Sequence, residues 1–462
     1  MDSNNFSQDR RRILGSLGAL GALGFASLAP RLALIDAMAQ AAPGYRALVC
    51  VFLYGGNDSN NMVVPYTSTE YNNYAAVRGS QANGGLALTQ ASLLPIAEKN
   101  GSVRFGLHPQ LTGLQTLWGG GKAALLYNVG TLIKPANKTN YLTIGAAPTN
   151  LFSHQDQQRE FQGTRLAGPQ TPSGWGGRVA DKLGAVGGSV PVAISIAGNN
   201  TFVTGDTTRA VALPQTGSLA INGFDSSPAS QARLSALRQL MTTGSDAVMV
   251  STLGDIQSST YNLTQTLAPV LNGASSTTAQ FAGLTSSLAN QFKQVAKMIE
   301  HRADLGSPSR QIFFVSIGGF DTHSNEIAVQ DKLLADVSAS VTAFYNATVQ
   351  LGVASNVTTF TSSDFTRTFK PATSGGADHA WGGHHFIVGG AVNGQAGYGT
   401  FPTQVLNGPD DVSNEGRWLP TTSVDQFGAT LAKWMGVTAA DMSSVFPNLA
   451  NFTVKDLGIL SA

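Results

Sequence analysis

The chain has 462 residues, 42% of them hydrophobic, enough to bury a sizeable core and to argue against intrinsic disorder. Its 28 Lys plus Arg balance 27 Asp plus Glu to a formal net charge of +1, so there is no basic field to release counterions from nucleic acid, and nucleic acid is set aside as a partner. Charged residues amount to only 12%, about half the usual share, while glycine reaches 52.

The first predicted element is an address. Arg10, Arg11 and Arg12 precede a Gly/Ala/Leu stretch over 13–29, followed by Pro30, Arg31 and the small-x-small site Ala37-Met38-Ala39. That is the charged, apolar and cleavage pattern of a signal peptide, and the arginine pair followed by Ile13-Leu14 is of the twin-arginine type. Residues 1–39 are therefore expected to be a twin-arginine signal peptide, with the twin-arginine translocase as a partner and a periplasmic or secreted destination. That route implies export after folding, often with a metal or cofactor already loaded. Beyond residue 40 no segment offers the roughly 20 uninterrupted apolar residues of a membrane span, so no stable membrane insertion is expected.

Apolar runs of strand length then recur at 47–53, 123–129, 190–196, 312–317, 357–361 and 386–392, each flanked by Gly, Asn or Pro. Being apolar on both faces, they read as interior strands of a parallel sheet. Helix-like segments at 231–241, 277–302 and 329–351 lie between them. The fold class predicted is α/β, a doubly wound, mostly parallel sheet with helices on both faces and loop insertions. Residues 40–462 read as one domain, with polar insertions near 201–230 and 402–420. The single Cys50 sits inside the first apolar run and reads as a buried, inert thiol.

Ligands of open α/β sheets bind beyond the carboxyl ends of the strands, so the polar clusters there carry the chemistry. After the first strand, Gly55-Gly56 let the chain turn tightly and bring out Asp58 and Asn61, although for this cluster alone a turn or helix cap by Asp58 is the favoured explanation. Ser153 precedes a helix-like run, with His154 and Asp156 next to it. A serine there suits a nucleophile or anion site, or an ordinary N-cap. After 312–317 the strand–Gly–Gly design repeats with Asp321 and His323, residue types that bind zinc, manganese or iron. Asp364 follows the next strand, and Arg367 beyond it either clamps an anionic substrate or pairs with a carboxylate of the site. Asp378, His379, His384 and His385 precede the last strand, with some histidines expected to bind metal and others to orient ligands.

The strings FLYGGNDSNNMVVPY, GGFDTH, SSDFTRT and ADHAWGGHHFIVGGAV, with the twin-arginine leader, resemble the bacterial family of exported proteins called domain of unknown function 1501. The resemblance runs from about Tyr45 to near the C-terminus, and the ordered combination is more specific than any single motif. It implies the alkaline phosphatase and sulfatase superfamily, an α/β sheet with a two-metal site at the strand ends. Carried across, Asp58 resembles the first-strand metal aspartate, Asp321 with His323 the aspartate and histidine of one metal, Asp364 the aspartate of the other, and His379 or His384 the closing histidine. Ser153 matches the nucleophile. Two departures stand out: Asp364-Phe365-Thr366-Arg367 replaces the family's Glu-Phe-Gly-Arg, and the Cys-x-Pro-x-Arg motif of formylglycine sulfatases is missing.

The expectation is an exported hydrolase of small-molecule or polysaccharide anionic esters, phosphate ahead of sulfate. It would use two divalent ions, drawn from zinc, manganese, calcium or iron, with Ser153, His154 and Arg367 in catalytic roles. The alternative is an inactive exported binding or assembly protein of the same fold. A metal-free serine esterase ranks last because no Gly-x-Ser-x-Gly elbow surrounds Ser153.

Overall fold

The computed structural model describes residues 44–165, 173–184, 188–216, 219, 225–242 and 248–461, so the leader expected at 1–39 lies outside the described residues. In chain order the elements begin with β1 (Arg46–Leu53), α1 (Ser59–Met62), β2 (Val63–Pro65), α2 (Ser68–Arg78), β3 (Leu94–Ile96), β4 (Phe105–Leu107), α3 (Thr112–Gly119) and β5 (Ala123–Gly130). Next come α4 (His154–Gly163), α5 (Trp175–Leu183), β6 (Ala193–Ser195), β7 (Val211–Ala212), α6 (Pro228–Thr242), α7 (Val248–Asn272) and α8 (Ser287–Glu300). The rest of the chain forms β8 (Arg310–Ile317), α9 (Glu326–Gln350), β9 (Val357–Ser363), β10 (Gly383–Gly389), β11 (Gly397–Tyr398), β12 (Thr422–Ser423), α10 (Val424–Met435) and α11 (Met442–Val445).

The main sheet runs β11-β5-β10-β9-β1-β8-β6-β7, with β12 also paired to β5. Alternation along β1 explains its central place. Ala47, Val49, Val51 and Leu53 enter one core with Leu117 of α3, Phe292 of α8 and Phe344 of α9. Leu48, Cys50 and Phe52 enter a second core with Val179 of α5 and Phe427 of α10. Both faces are therefore covered by helices, as an interior strand apolar on both sides requires, and the fold is a doubly wound α/β sheet. Cys50 is buried and unpaired in β1.

β1 is parallel to β8 and to β9, and Leu53 lies level with Ile317 and Ser363, so three strands stop side by side. The site is built on that shared end. One strand departs from the parallel expectation: β10 is antiparallel to both β9 and β5. The link from β9 to β10 carries no helix to cross back over the sheet, so β10 starts where β9 stops and runs the other way. It also begins at Gly383 and not at 386, which takes His384 and His385 into the strand.

The polar stretch at 201–230 is described only in part, and its β7 pairs in parallel with β6, extending the sheet. The stretch at 402–420 carries no helix or strand and is held by Asp411, whose carboxylate accepts the N–H groups of Asn407, Ser413 and Arg417. Among the described residues no helix is long and apolar enough to cross a membrane.

Candidate functional site

The loops after β1 and β8 lie against each other. Phe320 donates its N–H to the Tyr54 carbonyl at 3.1 Å, and a Cβ on Gly55 would stand 2.4 Å from the Asp321 nitrogen, so only glycine permits this approach. Gly319, at φ +104°, turns the second loop outward and leaves the Asp321 side chain 48% exposed. His154 is the first residue of α4. His379 lies in the loop before β10.

These residues converge. His154 Nε2 lies 3.2 Å from Asp321 Oδ1 and 3.1 Å from His379 Nε2, while His379 Nε2 is 3.4 Å from Asp321 Oδ1. Ligand atoms of His154, Asp321 and His379 all lie within 4.8 Å of one another. His323 joins from the open side, its Nε2 3.0 Å from both Asp321 Oδ1 and His379 Nε2. Atoms sharing one ion at about 2.1 Å stand about 3.0–3.4 Å apart across its coordination shell, the spacing found here.

Proton positions sharpen the point. His154 Nδ1 faces Asp364 Oδ2 at 2.6 Å, His379 Nδ1 the Phe152 carbonyl at 2.7 Å, and His323 Nδ1 Asp378 Oδ1 at 3.2 Å. An ionised carboxylate or a carbonyl only accepts, so each Nδ1 carries the hydrogen, and in the neutral rings every Nε2 lone pair is aimed at the others and at a carboxylate oxygen. Lone pairs so gathered repel one another unless a cation or extra protons lie between them. Imidazole and carboxylate are donors for a divalent ion such as zinc, manganese or iron, and the oxygen partners on the far nitrogens are those that orient metal-binding histidines.

The surroundings fix this geometry. Gln158, one turn after His154 on α4, donates to Asp364 Oδ2 at 2.8 Å. Phe152 adopts φ +73°, rare for a residue with a side chain, and so presents its carbonyl to His379. Arg417 donates to the His379 carbonyl at 2.7 Å and stacks over the Phe152 ring. Phe365 packs on both His154 and His379, ring centroids 4.7 and 4.8 Å away, and walls one side with apolar surface. Partial burial would raise the Asp321 carboxyl, but the hydrogen bond and charge of Arg367, with help from His154 and His323, outweigh it and bring the pKa to about 2. The hydrogen bond to Asp364 raises His154 above the usual imidazole range, whereas desolvation lowers His379.

Other residues singled out in the sequence stand behind the cluster or apart from it. Asp58 is wholly buried, caps α1 by accepting the Asn60 N–H at 3.1 Å, and is ion-paired with Arg78, which also reaches Glu326 Oε1 at 3.3 Å. Asn61 accepts from the Tyr74 hydroxyl at 2.6 Å. Asp364 is buried behind His154 and also takes the Gly55 N–H at 3.3 Å. The Arg367 side chain is fully buried, donating to the carbonyls of Gly55, Gly56 and Ala377 and to Asp321 Oδ1 at 2.5 Å, so it faces a carboxylate of the site and not an open substrate position. Ser153 is the N-cap of α4; its hydroxyl donates to Asp156 Oδ2 at 2.8 Å. The structure does not bring His384 to the cluster: inside β10, its Nδ1 accepts the Asn128 N–H at 3.1 Å and its ring stacks on Phe401. His385 packs on Phe161. Sequence reasoning missed Phe152, Gln158, Phe365 and Arg417. Only Gln158, four residues after His154 on one helical face, carried a local signal.

Among solved structures the chain is similar to the lipoteichoic acid synthase LtaP from Listeria monocytogenes, at 7% identity and TM-score 0.37, over 87% of this chain and 74% of that one. It is also similar to the PsFucS1 sulfatase from Pseudoalteromonas sp., at 9% identity and TM-score 0.36, over 93% and 75% of the two chains. No curated protein matches it. The family model described as "Protein of unknown function (DUF1501)" matches residues 45–446, and the chain belongs to that family.

Proposed function

We propose that the protein is a metal-dependent hydrolase of anionic esters, phosphate ahead of sulfate, whose divalent cation is held by His154, Asp321 and His379 with His323 at the open edge. The observation that carries this reading is the gathering of imidazole Nε2 atoms around Asp321 Oδ1 while each Nδ1 is occupied by an oxygen acceptor. Bound there, the cation would supply Lewis acidity toward an ester oxygen and a lowered pKa for water. The chain's own residues do the rest. Asp364 and Gln158 fix His154, Phe152 and Arg417 fix His379, and Phe365 excludes water from one side. In hydrolysis, the water oxygen bonds to phosphorus or sulfur, the ester bond to the leaving oxygen breaks, and the water proton ends on the departing alcohol. The exposed His323–Asp378 pair stands at the edge where that proton would pass. We further propose that the arginine-bearing leader directs export after folding, with the ion loaded beforehand.

A non-catalytic binding protein of the same fold is the second reading. It is favoured by the internal commitments of Ser153 to Asp156 and of Arg367 to carbonyls. Purified protein assayed on aryl phosphate, phosphodiester and aryl sulfate separates the two. The hydrolase reading expects turnover that a chelator removes and that His379→Ala lowers by at least about 100-fold. Protein that binds metal but turns over none of these esters supports the binding reading; protein that binds no metal removes the hydrolase reading.

A further inference from the structure

The superfamily that the sequence resembles implies two ions. The side chains that a second ion would need are buried and already engaged by donors of the protein. Asp58 Oδ1 accepts from the backbone and side-chain nitrogens of Asn60, at 3.1 and 3.2 Å, and its Oδ2 is paired with Arg78. Asp364 takes the Gly55 N–H on both oxygens, at 3.3 Å each, and His154 and Gln158 on Oδ2, at 2.6 and 2.8 Å. Neither carboxylate reaches solvent.

Two guanidiniums stand among oxygens that would otherwise suit a hard cation. Arg78 is surrounded by the carboxylates of Asp58 and Glu326 and the carbonyls of Thr368 and Phe369, at 3.4 and 3.3 Å. Arg367 is surrounded by the carbonyls of Gly55, Gly56 and Ala377 and by Asp321. Both side chains are fully buried, and they bracket the same Gly55–Asp58 turn. Burial, with the neighbouring Asp58 charge, pushes the Glu326 carboxyl well up beside Arg78.

We propose that the site takes a single divalent cation, and that Arg78 and Arg367 stand where a second ion would be held. Resting on the metal reading above, it fixes the count and gives Arg367 a role that needs no contact with substrate: a permanent positive charge behind Asp321.

Metal content by mass spectrometry after loading with excess manganese or zinc tests it. One equivalent per chain is expected, unchanged in Asp58→Asn and lost in His379→Ala. Two equivalents, with the second lost in Asp58→Asn, overturn the single-ion assignment and leave the metal reading intact, whereas zero equivalents overturn both. The wild-type protein gives an answer that needs no variant: loaded with manganese, it should show the six-line electron paramagnetic resonance spectrum of an isolated ion. An exchange-coupled multiline spectrum overturns the proposal.

Discussion

The chain uses one local design twice and gets opposite results. After β1 comes Tyr54-Gly55-Gly56-Asn57-Asp58, and after β8 comes Gly318-Gly319-Phe320-Asp321; the two turns touch, and each ends in an aspartate. Asp321 is half exposed and faces three imidazoles with the Arg367 guanidinium behind it, while Asp58 is sealed beneath α1 with the Arg78 guanidinium against it. The difference arises in the path the chain takes after each turn. Beyond Asp58 the chain folds at once into α1 and β2, with Arg78 at the end of α2 behind it. Beyond Asp321 it continues outward through His323 before α9 begins. An acid at a strand end can thus serve as a ligand where the chain after it leaves the carboxylate open to solvent and imidazoles, even with a guanidinium behind it, and is a folding constraint where burial seals it on every side.

The largest test of that contrast is Arg78→Ala. Removing the guanidinium strands the buried Asp58 carboxylate and takes the ion-pair partner from Glu326, and breaking a buried pair in this way costs about 3–5 kcal/mol. Denaturant unfolding should show that loss, or folded protein should fail to accumulate. Replacing both partners, by Asp58→Asn with Arg78→Met, should recover a large part of it, because no lone charge is then buried. A loss below about 1 kcal/mol for Arg78→Ala, of the size seen for exposed pairs, would mean that the triad is not a sealed counterpart of the open site.

Legibility in the sequence obeys the same divide. Continuous apolar runs announce β1, β5 and β8 because burial on both faces leaves no polar alternation to confuse them, while β9, rich in threonine, shows itself by its β-branched residues. The direction of β10 was not legible: an apolar run has no arrow, and only the helix-free link from β9 decides it. Among the residues that converge, Asp321, His323 and His379 stood out because their clusters adjoin strand ends; His154 stood out only beside Ser153 at a helix start, and for a catalytic role rather than as a metal ligand. Asp58 looked like Asp321 because the distinguishing residue, Arg78, lies twenty positions away in an ordinary helix end and meets it only through tertiary packing. Ser153 looked equally like a nucleophile and a cap. His384 was misplaced by a strand boundary set three residues late.

Asp364→Asn probes the open site at a residue behind the ligands. Its carboxylate takes the His154 Nδ1 hydrogen and the Gln158 amide, so the substitution should loosen His154 and weaken metal binding by about 10–100-fold without changing the stoichiometry. Competition against a chelator of known affinity measures this. Loss of the ion altogether would make Asp364 a ligand in its own right and draw the open site deeper, toward the sealed one.

The smallest expected effect falls on Ser153, where the contrast is between a cap and a reacting group. Its hydroxyl accepts the Asp156 N–H at 3.4 Å and donates to that residue's carboxylate at 2.8 Å, which closes both functions of the oxygen inside the first turn of α4. Ser153→Ala should therefore lower stability by about 1 kcal/mol, the usual worth of an N-cap, and leave metal content unchanged and turnover within a few-fold. His154 begins the same turn, so slight fraying would reach this proposed ligand first as weaker ion binding and only then as slower turnover at subsaturating metal. Measuring turnover with metal in excess separates these effects. A fall in kcat of about 1000-fold or more under that condition, with the ion still bound, is the size expected for loss of a nucleophile, and it would move Ser153 from the scaffold into the chemistry.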